Sequence, residues 1–219
     1  DVSIPTSVVD IQQDAFSYTK WFKAMPDGEV YINDMLYTYK GKMPSNTSIT
    51  VRPGTKSIAT EAFFCMNNLK SIELPSSVTS IGDGAFRKSG LVSVTVPNSI
   101  EIIGYGVFRQ CSHLTTVQLP RSLKKIDYYA FESCKNLKEV TCLSESVPEC
   151  MKYVFDNTSV ESATLFVPRI AFDAYKNAEQ WNRFGTIKTL EEMSDAVAPT
   201  LSRSQVHVSS TTYSSVTLT

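Results

Sequence analysis

Apolar residues recur along most of this chain with a period close to 23 residues. The repeats cover residues 2–16, 49–63, 69–90, 91–113, 114–136 and, less regularly, 137–155. The three complete central repeats have lengths of 22, 23 and 23 residues. Periods of about 20 to 50 residues are typical of solenoid proteins. We therefore expect stacked coils and not a closed globular centre.

Two apolar columns run through the aligned repeats and define the expected interior. A phenylalanine, preceded by alanine or valine, closes each repeat: Phe16, Phe63, Phe86, Phe108, Phe131 and Phe155. An isoleucine precedes it by five residues in the first five repeats: Ile11, Ile58, Ile81, Ile103 and Ile126. One unit has too little interior to bury these side chains alone, so neighbouring units stacked roughly 4.8 Å apart must cover them.

Each repeat also contains a short run in which apolar and polar residues alternate, as in Ile72 to Leu74 and Val117 to Leu119. This alternation predicts a strand with one buried face. The outward positions form two polar rows, Ser71, Ser93, Thr116 and Glu139 in one and Glu73, Thr95, Gln118 and Thr141 in the other. Short, regularly spaced polar groups suit hydrogen bonding to a partner. They are also ordinary soluble β-formers, and the pattern leaves both interpretations open.

An insertion of about residues 17–45 interrupts the repeats after Phe16. The segments EVYI and MLYTYK around Asn33 and Asp34 predict a two-stranded hairpin, because aromatic and β-branched residues alternate about a turn pair. Trp21, Tyr37 and Tyr39 belong to this insertion. They either grip a partner, as aromatic residues do in binding hot spots, or cover the flank of the solenoid.

The last part of the repeat domain, about residues 160–190, is expected to cap the stack. ATLFVP predicts a strand, and Phe172, Tyr175, Ala178 and Trp181 follow at near-helical spacing before a strand-like TIKTL. We thus assign residues 1–190 to one domain. Residues 191–219 are interpreted as a linker followed by the start of a β-sandwich, or as a surface stalk. Val2 already occupies a strand column, so we expect a longer protein upstream.

Charge and composition narrow the function classes. The net charge is −1, from 21 basic and 22 acidic residues, which gives no reason to expect a nucleic-acid partner. No stretch of the sequence reaches the roughly 18 apolar residues of a membrane span. The histidines, His113 and His207, match no triad or metal spacing, so we assign no catalytic, cofactor or metal residues.

The cysteines leave the redox state open. Cys111 and Cys134 occupy one column in adjacent repeats, at a separation that a disulfide could span. They equally suit a ladder of free, buried thiols. A bridge between Cys142 and Cys150 is a further option in an oxidising compartment.

The run L-x-x-V-x-[LV]-P-x-S-[VIL]-x-x-I-x-x-x-[AV]-F, present in residues 91–108 and 114–131, resembles the BspA-type leucine-rich repeat. Residues 26–41 and 167–187 are similar to the insertion and closing segment of such proteins from gut and oral anaerobes. The resemblance implies a leucine-rich-repeat solenoid of the α/β horseshoe class, rich in β structure with short helical turns. It also implies a secreted or outer-surface protein that adheres to host or neighbouring cells through a surface protein or glycan, without active-site residues. The alternative is a carbohydrate-binding component of a bacterial nutrient system.

Overall fold

A computed structural model describes residues 4, 5, 8 and 10–197, with backbone only for residues 194–197. The predicted strand at Val2, His207 and the predicted sandwich beyond the linker lie outside the described residues. In chain order the elements are helix α1 (Lys20–Ala24); strands β1 (Gly28–Ile32), β2 (Met35–Lys40), β3 (Thr47–Thr50), β4 (Ser57–Ile58), β5 (Leu69–Glu73), β6 (Ser80–Ile81), β7 (Ser93–Thr95), β8 (Ile102–Ile103), β9 (Thr116–Leu119), β10 (Lys125–Ile126), β11 (Glu139–Cys142), β12 (Glu149–Cys150) and β13 (Thr164–Val167); helix α2 (Phe172–Asn177); strand β14 (Thr186–Thr189); and helix α3 (Leu190–Val197). Short 3-10 helices span Val160–Ser162, Arg169–Ala171 and Trp181–Arg183.

Each coil of the solenoid contributes strands to two parallel sheets. The broad sheet consists of two hydrogen-bonded parts, β3-β5 and β7-β9-β11-β13-β14. The narrow sheet consists of β2-β4-β6, with β1 antiparallel at its edge, and β8-β10-β12. The strands stack in register, so that Val94, Val117 and Val140 are direct neighbours. This confirms the predicted leucine-rich-repeat solenoid, because each coil buries its apolar residues only against the coils beside it.

Tight turns close the third side of each coil, where the sequence pattern places the Ala-Phe pair. Backbone hydrogen bonds join successive turns, with Phe86 N donating to Val107 O at 2.9 Å and Phe108 N to Ala130 O at 2.9 Å. One position in these turns has positive φ in coil after coil, and glycine fills it at Gly84 and Gly106. The turns therefore continue the stacking without a regular helix.

The predicted interior columns are confirmed in the regular coils. The rings of Phe63, Phe86, Phe108, Phe131 and Phe155 are buried and lie nearly parallel, with neighbouring centroids 5.3 to 5.7 Å apart. Ile58, Ile81, Ile103 and Ile126 are buried in the second column. Trp181 and Phe184 meet Phe155 edge-on at 5.8 and 5.2 Å and end the stack.

The assignment of Ile11 and Phe16 to these columns is wrong. Leu36 of the insertion pairs with Ile58 and occupies the place that the sequence alignment gave to Ile11. The half-buried Phe16 ring packs edge-on against Tyr37, 5.6 Å away, outside the parallel stack. The predicted hairpin forms, but its second strand β2 joins the narrow sheet beside β4, so the insertion separates the first repeat from the others.

The C-terminal coil contains more helix than the others, because α2 and the 3-10 helices Arg169–Ala171 and Trp181–Arg183 lie between the paired strands β13 and β14. The near-helical spacing predicted through Trp181 holds for α2 only, since Gln180 has a φ of 68°. Tyr175 of α2 is buried, and its hydroxyl donates to Ser144 O at 2.9 Å. These contacts tie the last coil to its neighbour.

A short helix, α3, follows β14 where a linker was expected. Glu192 accepts hydrogen bonds from the N–H of Thr189 at 2.6 Å and from its hydroxyl at 3.0 Å. The bond from the Thr189 N–H to a glutamate three residues later is one half of the capping box of a helix start. The sequence Thr189-Leu-Glu-Glu192 contains this signal, which the sequence interpretation overlooked.

Both sheets are interrupted at the boundary between the coil of residues 69–90 and the coil of residues 91–113, which we call the seam. Strands β5 and β7 belong to separate ladders, as do β6 and β8. The coil before the seam is one residue shorter than the next two. Its connection brings Gly90 so close to the preceding coil that a Cβ there would lie 1.9 Å from Asn67 O. The phenylalanine stack continues across the seam.

Candidate functional site

The two predicted polar rows lie on the outward face of the broad sheet. Ser71, Ser93 and Thr116 share one row, and Glu73, Thr95 and Gln118 share the next, all at least partly accessible to solvent. Neighbouring coils hydrogen bond along the rows, with Ser71 Oγ donating to Ser48 Oγ at 2.7 Å and Thr50 Oγ1 to Glu73 Oε2 at 3.0 Å. The rows thus form an ordered polar surface over the first coils.

A shallow depression of about 330 Å³ crosses this surface at the seam. Four of the predicted contact residues line it: Ser71, Glu73, Ser93 and Thr95. Apolar atoms of Leu74 and Pro97 add to its wall. The interruption of the broad sheet therefore gathers hydroxyl groups, one carboxylate and apolar surface around one hollow.

The C-terminal end of one polar row, the row of Glu73 and Thr141, is covered. Thr141 is only 4% exposed, and its hydroxyl contacts Met193 Sδ of α3 at 3.9 Å. Phe166, the next residue of the same row, is also buried. Thr141 was therefore wrongly placed among the exposed residues, because the helix that follows the last strand folds back over this end. Glu139, in the other row, is half-buried.

The aromatic residues of the insertion pack inward. Tyr37 is completely buried, and its hydroxyl donates a short hydrogen bond to Gln13 O. Trp21 and Tyr39 are half-buried against the core. The expectation that Tyr37 grips a partner is wrong, because its ring fills the space between the first repeat and the hairpin. All three residues fit the interpretation that the aromatic rings of the insertion cover the flank of the solenoid.

A different set of tyrosines lies on the outside, at the corner between the narrow sheet and the turns. This tyrosine ridge consists of Tyr105, Tyr128, Tyr129 and Tyr153. Tyr105, Tyr128 and Tyr153 are 42%, 37% and 46% exposed. Tyr129 stacks on Tyr153 with centroids 5.3 Å apart and meets Tyr105 edge-on at 5.6 Å. The repeat alignment could have revealed it, since Tyr129 and Tyr153 share a column two residues before the phenylalanine.

A partly buried ion pair packs against the Tyr129 ring of the ridge. Arg109 Nε lies 2.6 Å from Glu132 Oε2, and its guanidinium carbon lies 5.1 Å from the centre of the Tyr129 ring. Burial by itself would raise the pKa of Glu132, but hydrogen bonds from Arg109 and Ser133 and the Arg109 charge outweigh it and lower that pKa. The pair is therefore ionised at neutral pH and holds Tyr129 in position.

The cysteines that the sequence left open are free thiols. Cys111 Sγ donates to Phe86 O at 3.0 Å, and Cys134 Sγ donates to Phe108 O at 3.1 Å. Burial raises the pKa of Cys111 to about 11, and it also raises the pKa of Cys134 and Cys142. Such thiols are protonated and shielded, which makes them poor nucleophiles. Cys111, Cys134 and Cys142 fill positions in the buried interior of the solenoid.

The described residues give little evidence of a catalytic, metal-binding or membrane-spanning role. His113 is exposed in a turn beside Ser112. Across residues 4, 5, 8 and 10–197, no cluster of three or more histidine, cysteine, aspartate or glutamate side chains is placed to hold a metal ion. None of the described helices has both the length and the apolar character needed to cross a membrane.

Comparison with known proteins identifies the repeat. A family model described as "BspA type Leucine rich repeat region (6 copies)" matches residues 1–112, 31–161 and 107–210. A search of curated proteins found no significant match. Among solved structures, a leucine rich cell surface protein from Faecalibacterium prausnitzii A2-165 is 22% identical, with a TM-score of 0.50 over 75% of this chain and 38% of that chain. The pneumococcal vaccine antigen PcpA is 20% identical, with a TM-score of 0.46 over 71% and 44% of the two chains.

The chain therefore spans less than half the length of either solved protein. The first likeness supports the fold assigned above, with the same stacked coils. The family match runs through all the regular coils and through the insertion.

Proposed function

Because the chain belongs to the BspA-type leucine-rich repeat family, we propose that it is a noncatalytic interaction module on the outside of a bacterial cell. Its partner is a surface protein of a host or neighbouring cell, bound by the outward face of β3, β5, β7 and β9. A solved protein with the same fold is named as a cell surface protein, which supports the proposed location.

The proposal rests on the polar residues that lie together at the seam. Ser71, Glu73, Ser93 and Thr95 face one hollow, while α3 covers the far end of the row that contains Glu73 and Thr95. A stable protein interface requires about 800 Å² on each partner, more than the hollow offers. The rows of β3 and β9 extend the contact on both sides, so an extended partner surface fits this face better than a small molecule.

A double variant that adds positive charge at the hollow tests the proposal. Glu73→Lys with Thr95→Lys places two cations in the hollow, and we expect affinity for a bound matrix or cell-surface protein to fall about tenfold or more. The matched control is Glu149→Lys with Thr186→Lys, which makes the same changes at exposed strand positions of β12 and β14, away from the seam. Binding would be measured by interferometry against arrays of host matrix proteins and glycans.

The control variant should bind as the parent does. Undiminished protein binding by the Glu73 and Thr95 variant would exclude the sheet face as the site. Binding of the parent to glycans alone would exclude a protein partner and favour the carbohydrate-binding alternative. The insertion no longer supports that alternative, because Tyr37 is buried.

A further inference from the structure

We propose that the tyrosine ridge is a second binding site, independent of the broad sheet, for a neutral linear glycan that runs along the solenoid axis. The ridge occupies three successive coils through Tyr105, Tyr128 and Tyr153. All three rings are more than one third exposed, whereas the phenylalanines of the same coils, Phe108, Phe131 and Phe155, are buried.

The turn that carries Tyr129 and Tyr153 does not require tyrosine. Tyr129 and Tyr153 have φ values of 60° and 66°, at a turn position that Gly84 and Gly106 fill in the two preceding coils. Bulky residues rarely adopt this conformation, because their Cβ crowds the backbone. Glycine meets the same requirement without strain. Glu61 has a φ of 55° at the same position of an earlier coil, so the turn also accepts side chains, and the 46% exposure of the Tyr153 ring is what leaves it open to a ligand.

Four of the charged groups near the ridge form two ion pairs. Arg109 is bound to Glu132, and Lys125 lies 3.7 Å from Asp127. Asp83 Oδ1 accepts the backbone N–H of Tyr105 at 3.1 Å, and Asp127 Oδ1 accepts that of Tyr128 at 2.9 Å. Beside these groups the exposed rings offer a ligand aromatic surface with phenol hydroxyl groups. A sugar ring offers the complement, an apolar C–H face bordered by hydroxyls.

The size and repeat of the ridge favour a glycan over a protein. A tyrosine has about 150 to 250 Å² to bury, so the three most exposed rings offer on the order of 300 Å². That is well below the roughly 800 Å² that a protein partner needs. Tyr129 and Tyr153 repeat at 5.3 Å, close to the length of one pyranose unit in an extended β-linked chain. The spacing of the coils therefore matches the spacing of sugar units in such a chain.

Affinity electrophoresis with the whole chain tests this site. Gels would contain hydroxyethyl cellulose, mannan or xylan as neutral polysaccharides, and carboxymethyl cellulose or heparin as charged ones. We expect at least one neutral polysaccharide to retard the parent protein. The double variant Tyr105→Ser with Tyr153→Gly should bind it about tenfold more weakly, since interface aromatic residues typically contribute that much. Glycine at residue 153 keeps the turn, as Gly84 and Gly106 do.

Two controls separate this site from the others. Tyr18→Ser removes an 88% exposed ring outside the ridge and should leave the retardation unchanged. The Glu73 and Thr95 variant should also be retarded as the parent is, whether or not the sheet face binds protein. Failure of every neutral polysaccharide to retard the parent overturns the proposal. So does retardation that survives in the ridge variant, or retardation by charged polysaccharides alone.

Discussion

Two aromatic columns run along this solenoid with the same spacing and opposite exposure. The buried phenylalanines repeat at 5.3 to 5.7 Å, and Tyr129 and Tyr153 on the outside repeat at 5.3 Å. In both columns the coil period sets the distance between the rings. Only the phenylalanines are covered on all sides, so we expect their loss to affect folding and the loss of the tyrosines to affect binding.

The largest expected effect is that of Phe108→Ala. This ring is completely buried in the middle of the stack, between Phe86 and Phe131. Its removal leaves a cavity and should lower the free energy of unfolding by about 3 to 5 kcal/mol. Urea or thermal unfolding, followed by circular dichroism, measures this. A melting temperature within error of the parent value would contradict the stacked interior.

A smaller, pH-dependent effect is expected at the ion pair beneath the ridge. The pKa of Glu132 is lowered in the folded chain, so its ionised form stabilises the fold above the ordinary glutamate pKa. That contribution is lost as the pH falls through the lower, folded-state pKa. Glu132→Gln should therefore reduce stability at pH 7 by about 1 to 2 kcal/mol.

The same variant should differ less and less from the parent as the solution is acidified below the ordinary glutamate pKa. Urea unfolding at pH 7, 5, 4 and 3 provides the comparison. A stability difference that stays constant over this range would show that Glu132 acts through packing and not through its charge.

The smallest effect is expected for Tyr153→Gly. Glycine relieves the positive-φ strain of about 1 kcal/mol but adds chain entropy of about the same size to the unfolded state. The ring is 46% exposed and adds little to the core. The unfolding free energy should therefore stay within about 1 kcal/mol of the parent value. A loss of unfolding free energy as large as that of Phe108→Ala would show that the outer tyrosines stabilise the fold as the buried phenylalanines do.

The regular coils were predictable because their signals are local and repeated. Phe63 to Phe155, the isoleucine column and the polar rows all follow from a single alignment of the sequence with itself. Stacking then makes every repeated position a neighbour of its counterpart. The four residues around the hollow could be named in advance for this reason, although the hollow itself depends on the interruption at the seam.

The ends of the stack were not predictable from the same signals. Phe16 matches the phenylalanine column in sequence, but Leu36 of β2 pairs with Ile58, so the hairpin lies between the first repeat and the next one. Thr141 matches the outward row, but Met193 covers it. In both cases a segment outside the repeats packs against a repeat position. An alignment of the repeats carries no information about where that segment folds.

The sequence alone determined the period, the residues that face inward and the polar character of the outward face, because these depend on spacing along the chain. Only the tertiary structure decided which outward positions stay open. Solvent exposure depends on where the insertion and α3 fold back, and those contacts join residues that are distant in sequence. For that reason Tyr37 became part of the interior, while the tyrosines of the ridge remained at the surface.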